Sequence, residues 1–145
     1  MRHELINSAL GELGVIELPG AVLNSPRILE YFSEIGHSWV KTDETAWCSA
    51  VHNFLHKITG YEYSGQLNAR SWLNIGIHTD RPEKGDTVIF WRESLASWKG
   101  HVAFWIREEG SYVYTLGGNQ NNKYGEGRYP KSRVLDTRIM RLRDE

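Results

Sequence analysis

Apolar residues recur at helical spacing in the first half of the chain and at strand spacing in the second. Leu5, Ile6, Ala9, Leu10 and Leu13 fall on one side of a helix over residues 4–13, and Gly14 offers the stop. Ser25-Pro26 opens a second helix, with Ser at the N-cap and Pro at the first helical position. Ile28, Leu29, Phe32 and Ile35 form its apolar stripe, and Gly36 ends it. Thr45 caps a third helix, predicted over residues 46–59 and closed by Gly60. Trp47, Val51, Phe54, Leu55 and Ile58 lie at i, i+4, i+7, i+8 and i+11 on it, so one face packs on a core. A short fourth helix is predicted over residues 66–74, before Gly76.

The period then changes. Pro82-Glu83-Lys84-Gly85-Asp86 reads as a turn. Residues 87–92 read as a strand that is apolar on both faces, hence a central one. A polar loop leads to a second strand over residues 101–107, and Glu108-Glu109-Gly110 turns the chain into a third over residues 111–116. Gly117-Gly118-Asn119-Gln120-Asn121-Asn122 reads as a loop, and a last strand falls within residues 134–142. The predicted class is α+β, with N-terminal helices packed on an antiparallel sheet of at least four strands.

Composition narrows the function classes. The length of 145 residues suits one domain over 1–145, and the expectation is a single catalytic domain without a separate wall-binding module. A chain of this size can bury roughly 70% of its unfolded surface, so it needs no disulfide or metal staple. With 17 Lys+Arg against 18 Asp+Glu it lacks the basic footprint of a general nucleic-acid binder. No apolar run approaches the ~20 residues of a membrane span, and the first residues show no secretory signal. Neither nucleic acid nor membrane is therefore an expected partner, and a monomer is expected. The six Trp and seven Tyr serve either as core or as a platform for sugar and peptide substrates.

The single cysteine changes the picture most. One Cys makes no internal disulfide and no Cys-x-x-Cys site. Cys48 falls in the first turn of the third predicted helix, where unpaired N–H groups and the positive end of the helix dipole converge. Both favour the thiolate, so the position fits a reactive thiol with a lowered pKa as well as a structural cysteine. His52 and His56 follow at i+4 and i+8, each step turning about 40° further from the apolar arc towards solvent. They read as a polar helix face, and two histidines fall short of the four ligands of a structural zinc.

His101 differs. It follows Gly100 and opens a hydrophobic strand, a place where a catalytic base is often held. A hairpin centred on Glu109-Gly110 places residues 117–119 opposite position 101. Asn119 or Gln120 can then orient the imidazole through its second nitrogen. A polar turn is the alternative for the same segment.

The motif blocks occur in a recognisable order. Asn24-Ser25-Pro26-Arg27-Ile28-Leu29-Glu30-Tyr31-Phe32, Asp43-Glu44-Thr45-Ala46-Trp47-Cys48-Ser49-Ala50, Ala69-Arg70-Ser71-Trp72-Leu73, Gly100-His101-Val102-Ala103-Phe104, Leu116-Gly117-Gly118-Asn119-Gln120 and Arg128-Tyr129-Pro130-Lys131-Ser132-Arg133 span nearly the whole chain. The chain resembles the CHAP/NlpC group of papain-like cysteine amidases and peptidases, small phage and bacterial enzymes that cut peptidoglycan.

That resemblance implies Cys48 as nucleophile, His101 as general base and Asn119 as the orienting group, with Gln120 as an alternative orienting or oxyanion residue. Glu44, Trp47 and Trp72 are the candidate substrate contacts. No cofactor is implied, although Asp43 and Glu44 have the oxygen chemistry to hold a calcium ion. The implied partner is peptidoglycan, reached from the cytoplasm through holin-type lesions or by a secretion machine, as an endolysin would. A non-catalytic murein-binding or phage structural module on the same fold, and a protease with a protein substrate, are the alternatives. Arg128, Lys131 and Arg133 are either a patch for the anionic wall or a solvated surface.

Overall fold

The computed structural model describes residues 3–16, 25–39, 47–120 and 123–143. Three α-helices precede the sheet: α1 (His3–Leu10), α2 (Pro26–Glu34) and α3 (Cys48–Thr59). Helix α1 buries Leu5, Ile6 and Ala9. It stops short of residue 13 because the chain turns away to join the sheet. Gly14 N–H donates to Tyr124 O at 3.0 Å and Tyr124 N–H to Val15 O at 2.7 Å. Helix α2 begins as its sequence dictates, with Ser25 Oγ accepting from Ile28 N–H at 3.4 Å and Pro26 at the first position. A bidentate pair of Arg27 on Glu12, with both contacts at 2.7 Å, ties α2 to the turn after α1. Tyr31 Oη donates to the same carboxylate at 2.6 Å.

Helix α3 is the centre of the molecule. It contacts α1, α2, and strands β3 (Gly100–Glu109) and β4 (Tyr112–Gln120). Every residue from Cys48 to His56 is buried. His52 and His56 therefore do not form the expected solvent face. Their rings lie 4.6 and 5.0 Å from Trp72 and 4.5 and 5.4 Å from Phe104. The 3.6-residue period marks the most apolar side of a helix, but it does not say that the other side faces water. Partners on all sides bury both. Gly60 ends α3 with φ 85°, and Ile58 is half-exposed. The expected cap Thr45 lies outside the described residues. The predicted fourth helix is a single 3₁₀ segment, Ala69–Asn74, capped by Asn68.

The remaining strands are β1 (Ile77–His78), β2 (Thr87–Trp91), β5 (Lys123–Pro130) and β6 (Val134–Ile139). The six lie in the order β1-β6-β2-β3-β4-β5, every neighbour antiparallel. The fold is α+β with β2 central, as expected, and β3 beside it. Strands β1 and β5 carry no alternating apolar signal, and both are edges. An edge strand is held by its neighbour's backbone and needs no period of its own, which is why Gly125, Gly127 and Pro130 are tolerated in β5.

The predicted loop after Leu116 is the second half of β4. Between Gly117 and Gln120, β4 takes three steps where β5 takes two, from Gly125 to Lys123. Asn119 adopts φ 57° in this stretch. The extra residue is a β-bulge, and it shifts the alternation of side chains by one position.

Candidate active site

Cys48 opens α3 and is held by its neighbours. Trp47 is fully buried and stacks on Tyr31, with ring centroids 6.1 Å apart. Gly118 of β4 is the matching surface: a Cβ there would stand 2.5 Å from Val51 Cγ1 and 2.8 Å from the Trp47 ring. Ser49 donates to Gln66 O at 2.7 Å and accepts from Trp72 Nε1 at 3.0 Å. The Trp-Cys-Ser block thus fixes the first turn from both sides of the cysteine. Cys48 itself is 7% exposed and packs with Ala69, Trp72, Ile89, Val102 and Met140.

Burial pushes the Cys48 thiol above its ordinary value. The N–H groups of Val102, Ser49 and Cys48 and the charge of Arg92 pull the other way without prevailing. The lowered value expected from the helix position is therefore corrected: desolvation outweighs the dipole. The resting sulfur is a thiol.

His101 is fully buried at the start of β3. Its ring lies 6.2 Å from Phe90 and 4.9 Å from Tyr129. Nε2 contacts Gln120 Oε1 at 3.0 Å, and Nδ1 has no hydrogen-bond partner among the described residues. The surrounding bonds fix the tautomer. Gly125 O can only accept, so the Gln120 group that meets it is the amide N–H. Gln120 Oε1 then faces Thr115 Oγ1 at 2.7 Å and His101 Nε2. A carbonyl oxygen only accepts, so His101 Nε2 carries the proton. Nδ1 is left with a bare lone pair, the form of a general base.

Gln120 is thus the residue that meets the imidazole, and Asn119 is not. The hairpin arithmetic assumes unbroken alternation, which would bring residue 119 to the face of Thr115. The bulge delivers Gln120 there, and Asn119 is half-buried beside it. Gly127 makes the space, since a Cβ there would stand 2.7 Å from Gln120 Cδ.

The thiol and the imidazole are neighbours without being bonded. Val102 N–H meets Cys48 Sγ, and His101 is the preceding residue. Alternation along β3 turns Val102 towards Cys48 and His101 towards Phe90 and Tyr129. Burial, the largest cause, lowers the His101 pKa to about 4; the Gln120 bond opposes the shift and the Arg92 charge adds to it.

The shift predicts a pH dependence of stability. The unfolded chain takes up the proton near 6.5 and the folded chain only near 4. The contribution is complete above the unfolded value and is lost as pH falls towards the folded one. The His101 share lost between pH 7 and pH 5 is about 2 kcal/mol, a window above most carboxylate titration. His52, lowered in the same direction chiefly by burial, adds to the loss. Urea midpoints across this range measure it, and an unchanged midpoint would count against a neutral buried His101.

The other expected site residues fare differently. Trp47 and Trp72 are both fully buried, so they build the site's walls and offer no surface to a substrate. Glu44 and Asp43 lie outside the described residues. Among the described residues no group of His, Cys, Asp and Glu is arranged to hold a metal ion. Arg128 lies 4.2 Å over Tyr112, Arg133 5.0 Å over Trp91, and Lys131 pairs with Glu108 at 2.8 Å. That basic stretch is committed to neighbours within the chain.

Thr115, Tyr129 and Arg92 belong to the site without having been expected there. Only the block that contains Tyr129 carried any signal. The loop between β2 and β3 is held by Arg70, whose guanidinium donates to the carbonyls of Lys99, Leu95 and Ser94 at 2.9, 2.8 and 2.9 Å. It leaves Trp98 and Leu95 exposed just ahead of His101.

The same architecture occurs in a crystal structure described as similar to a lipoprotein of the NLP/P60 family, from Staphylococcus aureus subsp. aureus Mu50, with a TM-score of 0.56 at 19% identity. The chain shares that fold. The likeness covers 97% of this chain and 41% of the other, so the chain spans about two fifths of the length of the protein it matches. No family model matches the chain, and no curated protein matches it.

Proposed function

We propose that the chain is a cysteine-dependent amidase or endopeptidase that cuts an amide bond of peptidoglycan in the manner of an endolysin. The observation that carries this is the one-sided imidazole. Gln120 holds Nε2–H, and a buried Nδ1 lone pair stands free one residue from the strand N–H that touches the cysteine sulfur. The motif order shared with CHAP/NlpC enzymes and the NLP/P60-like fold support murein as the substrate class.

The chemistry follows from two neutral partners. Sγ turns from Val102 N–H towards Nδ1, and His101 takes the thiol proton as sulfur bonds to the amide carbon. The carbonyl electron pair moves to oxygen, and backbone N–H groups at the start of α3 are the available donors to it. The C–N bond breaks as His101 returns its proton to the leaving amine. Water then attacks the thioester as His101 accepts its proton, and the C–S bond breaks as His101 passes that proton to sulfur, which restores the thiol and the neutral imidazole. His101 performs this with its proton on Nε2 throughout, because Gln120 Oε1 accepts a hydrogen bond and has none to donate.

One observation favours a second reading, a murein-binding module without turnover: the thiol is buried, protonated and not bonded to the imidazole. Incubating the full chain with purified sacculi and weighing the released fragments by mass spectrometry separates the two. The enzyme releases soluble muropeptides cut at one class of amide. Sedimentation of the protein with intact sacculi and no release supports the binder, and reducing sugar ends would reject both.

A further inference from the structure

Arg92 follows β2 directly, and its N–H donates to Lys99 O at 3.2 Å. It is therefore seated where β2 meets the start of β3, beside Trp91, whose partner across the ladder is Gly100. Alternation places it on the face of Phe90, which pairs with His101 and lies 4.7 Å from the Tyr129 ring. Its guanidinium engages the Tyr129 hydroxyl, and its charge bears on Cys48 and His101 as well. Three groups thus share one face, a base, a phenol and a half-exposed cation, and the charge of that cation also reaches the thiol.

The cation has a neutral partner, the Tyr129 hydroxyl, and no ionic one among the described residues. Arg27, Arg107, Arg138 and Arg141 each pair with a carboxylate. Among the described residues no carboxylate pairs with Arg92. The thiol, the imidazole and the phenol that its charge reaches are neutral at rest, and that charge opposes the imidazolium that forms when His101 takes a proton. A bound anion would cancel that opposition. A guanidinium fork matches a carboxylate in shape and charge, with two parallel N–H···O bonds.

We propose that Arg92 binds a free carboxylate of the substrate, on the residue beside the scissile amide, and so selects acidic over amidated peptides. The proposal rests on the catalytic reading above for its setting, but its test does not require turnover. The probes are the stem tripeptide L-Ala-γ-D-Glu-L-Lys with its free α-carboxylate and the same peptide with that group as a carboxamide. Calorimetric binding to the Cys48→Ala protein should favour the acid about tenfold. Adding Arg92→Gln should bring the two affinities to within about threefold of each other, while Arg92→Lys keeps part of the preference.

Should Cys48→Ala protein bind the acid preferentially when the native chain cuts neither peptide, the catalytic reading fails and this one stands. Equal binding of acid and amide by the Arg92 protein overturns the proposal, as does a preference that survives in Arg92→Gln. In turnover, an equal loss of kcat/KM on both peptides in Arg92→Gln also overturns it, since that pattern belongs to oxyanion or structural support.

Discussion

Replacing Cys48 by Ala is expected to reduce the release of soluble muropeptides from purified sacculi by at least about a thousandfold, to background. The proposed reaction needs a sulfur electron pair to form the acyl intermediate, and Cys48 is the chain's one cysteine. Stability should fall only slightly. The change removes one atom from a site shared with Ala69, Ile89 and Val102, a loss of about 1 kcal/mol by ordinary cavity costs. A variant that stays folded by circular dichroism and still clears sacculi at the native rate would falsify the nucleophile assignment. Because burial keeps the thiol protonated, its alkylation by iodoacetamide should climb only above the ordinary thiol pKa range. A thiolate already reactive near neutral pH would instead indicate an ion pair with His101.

The second large effect is expected at Gln120. Gln120→Leu keeps the bulk of the side chain and removes the acceptor that fixes His101 Nε2–H. The imidazole is then free to place its proton on Nδ1, where it cannot act as a base. The expected loss in kcat is about 10²- to 10⁴-fold, the range of general base catalysis and of wrong-tautomer mutants. The Gly125 carbonyl also loses its amide donor and the Thr115 hydroxyl keeps only the Gly127 carbonyl at 3.4 Å, which costs about 1–3 kcal/mol in buried polar groups. Asn119→Gly is the control. Glycine accepts the φ of 57° at the bulge, and Asn119 makes no contact with the imidazole, so activity should stay within about threefold. Equal losses at positions 119 and 120 would show that the bulge geometry matters and the Gln120 acceptor does not.

The contrast between these two positions shows where sequence reasoning reached its limit. The proposed nucleophile and base are legible because each carries a local signal. Cys48 sits at a helix start marked by an apolar period, and His101 opens a hydrophobic strand after a glycine. The arithmetic of the β3–β4 hairpin brought the right segment to His101. It missed by one residue because a β-bulge is not written in apolar spacing. The bulge is a backbone event at a polar residue, and a single extra step exchanges the two faces of the strand.

Burial was misjudged for a related reason. His52 and His56 read as a solvent-facing side, and Trp47 and Trp72 as candidate substrate contacts although Trp47 also falls on the core-facing arc, yet all four are packed inside. Helix α3 has partners on every side, and no one-dimensional period reports a neighbour from another part of the chain. The thiol pKa follows the same rule. A helix N-terminus lowers it in solution, but the walls that surround Cys48 remove the water on which that advantage depends.

By itself the sequence determined the α+β class, the limits of α2 and of the end of α3, and the strands β2 and β3, and it singled out Cys48 and His101 as the candidate pair. These depend on local propensity and on periods of 3.6 and 2, which act over a few residues. The tertiary structure alone decided the edge strands, the choice of Gln120 over Asn119 as the partner of His101, the proton position on His101, the neutral state of the lone thiol and the placing of Arg92 on Tyr129. Each of these depends on which backbone group, ring or charge arrives from a distant segment, and long-range pairing is what folding adds to local preference.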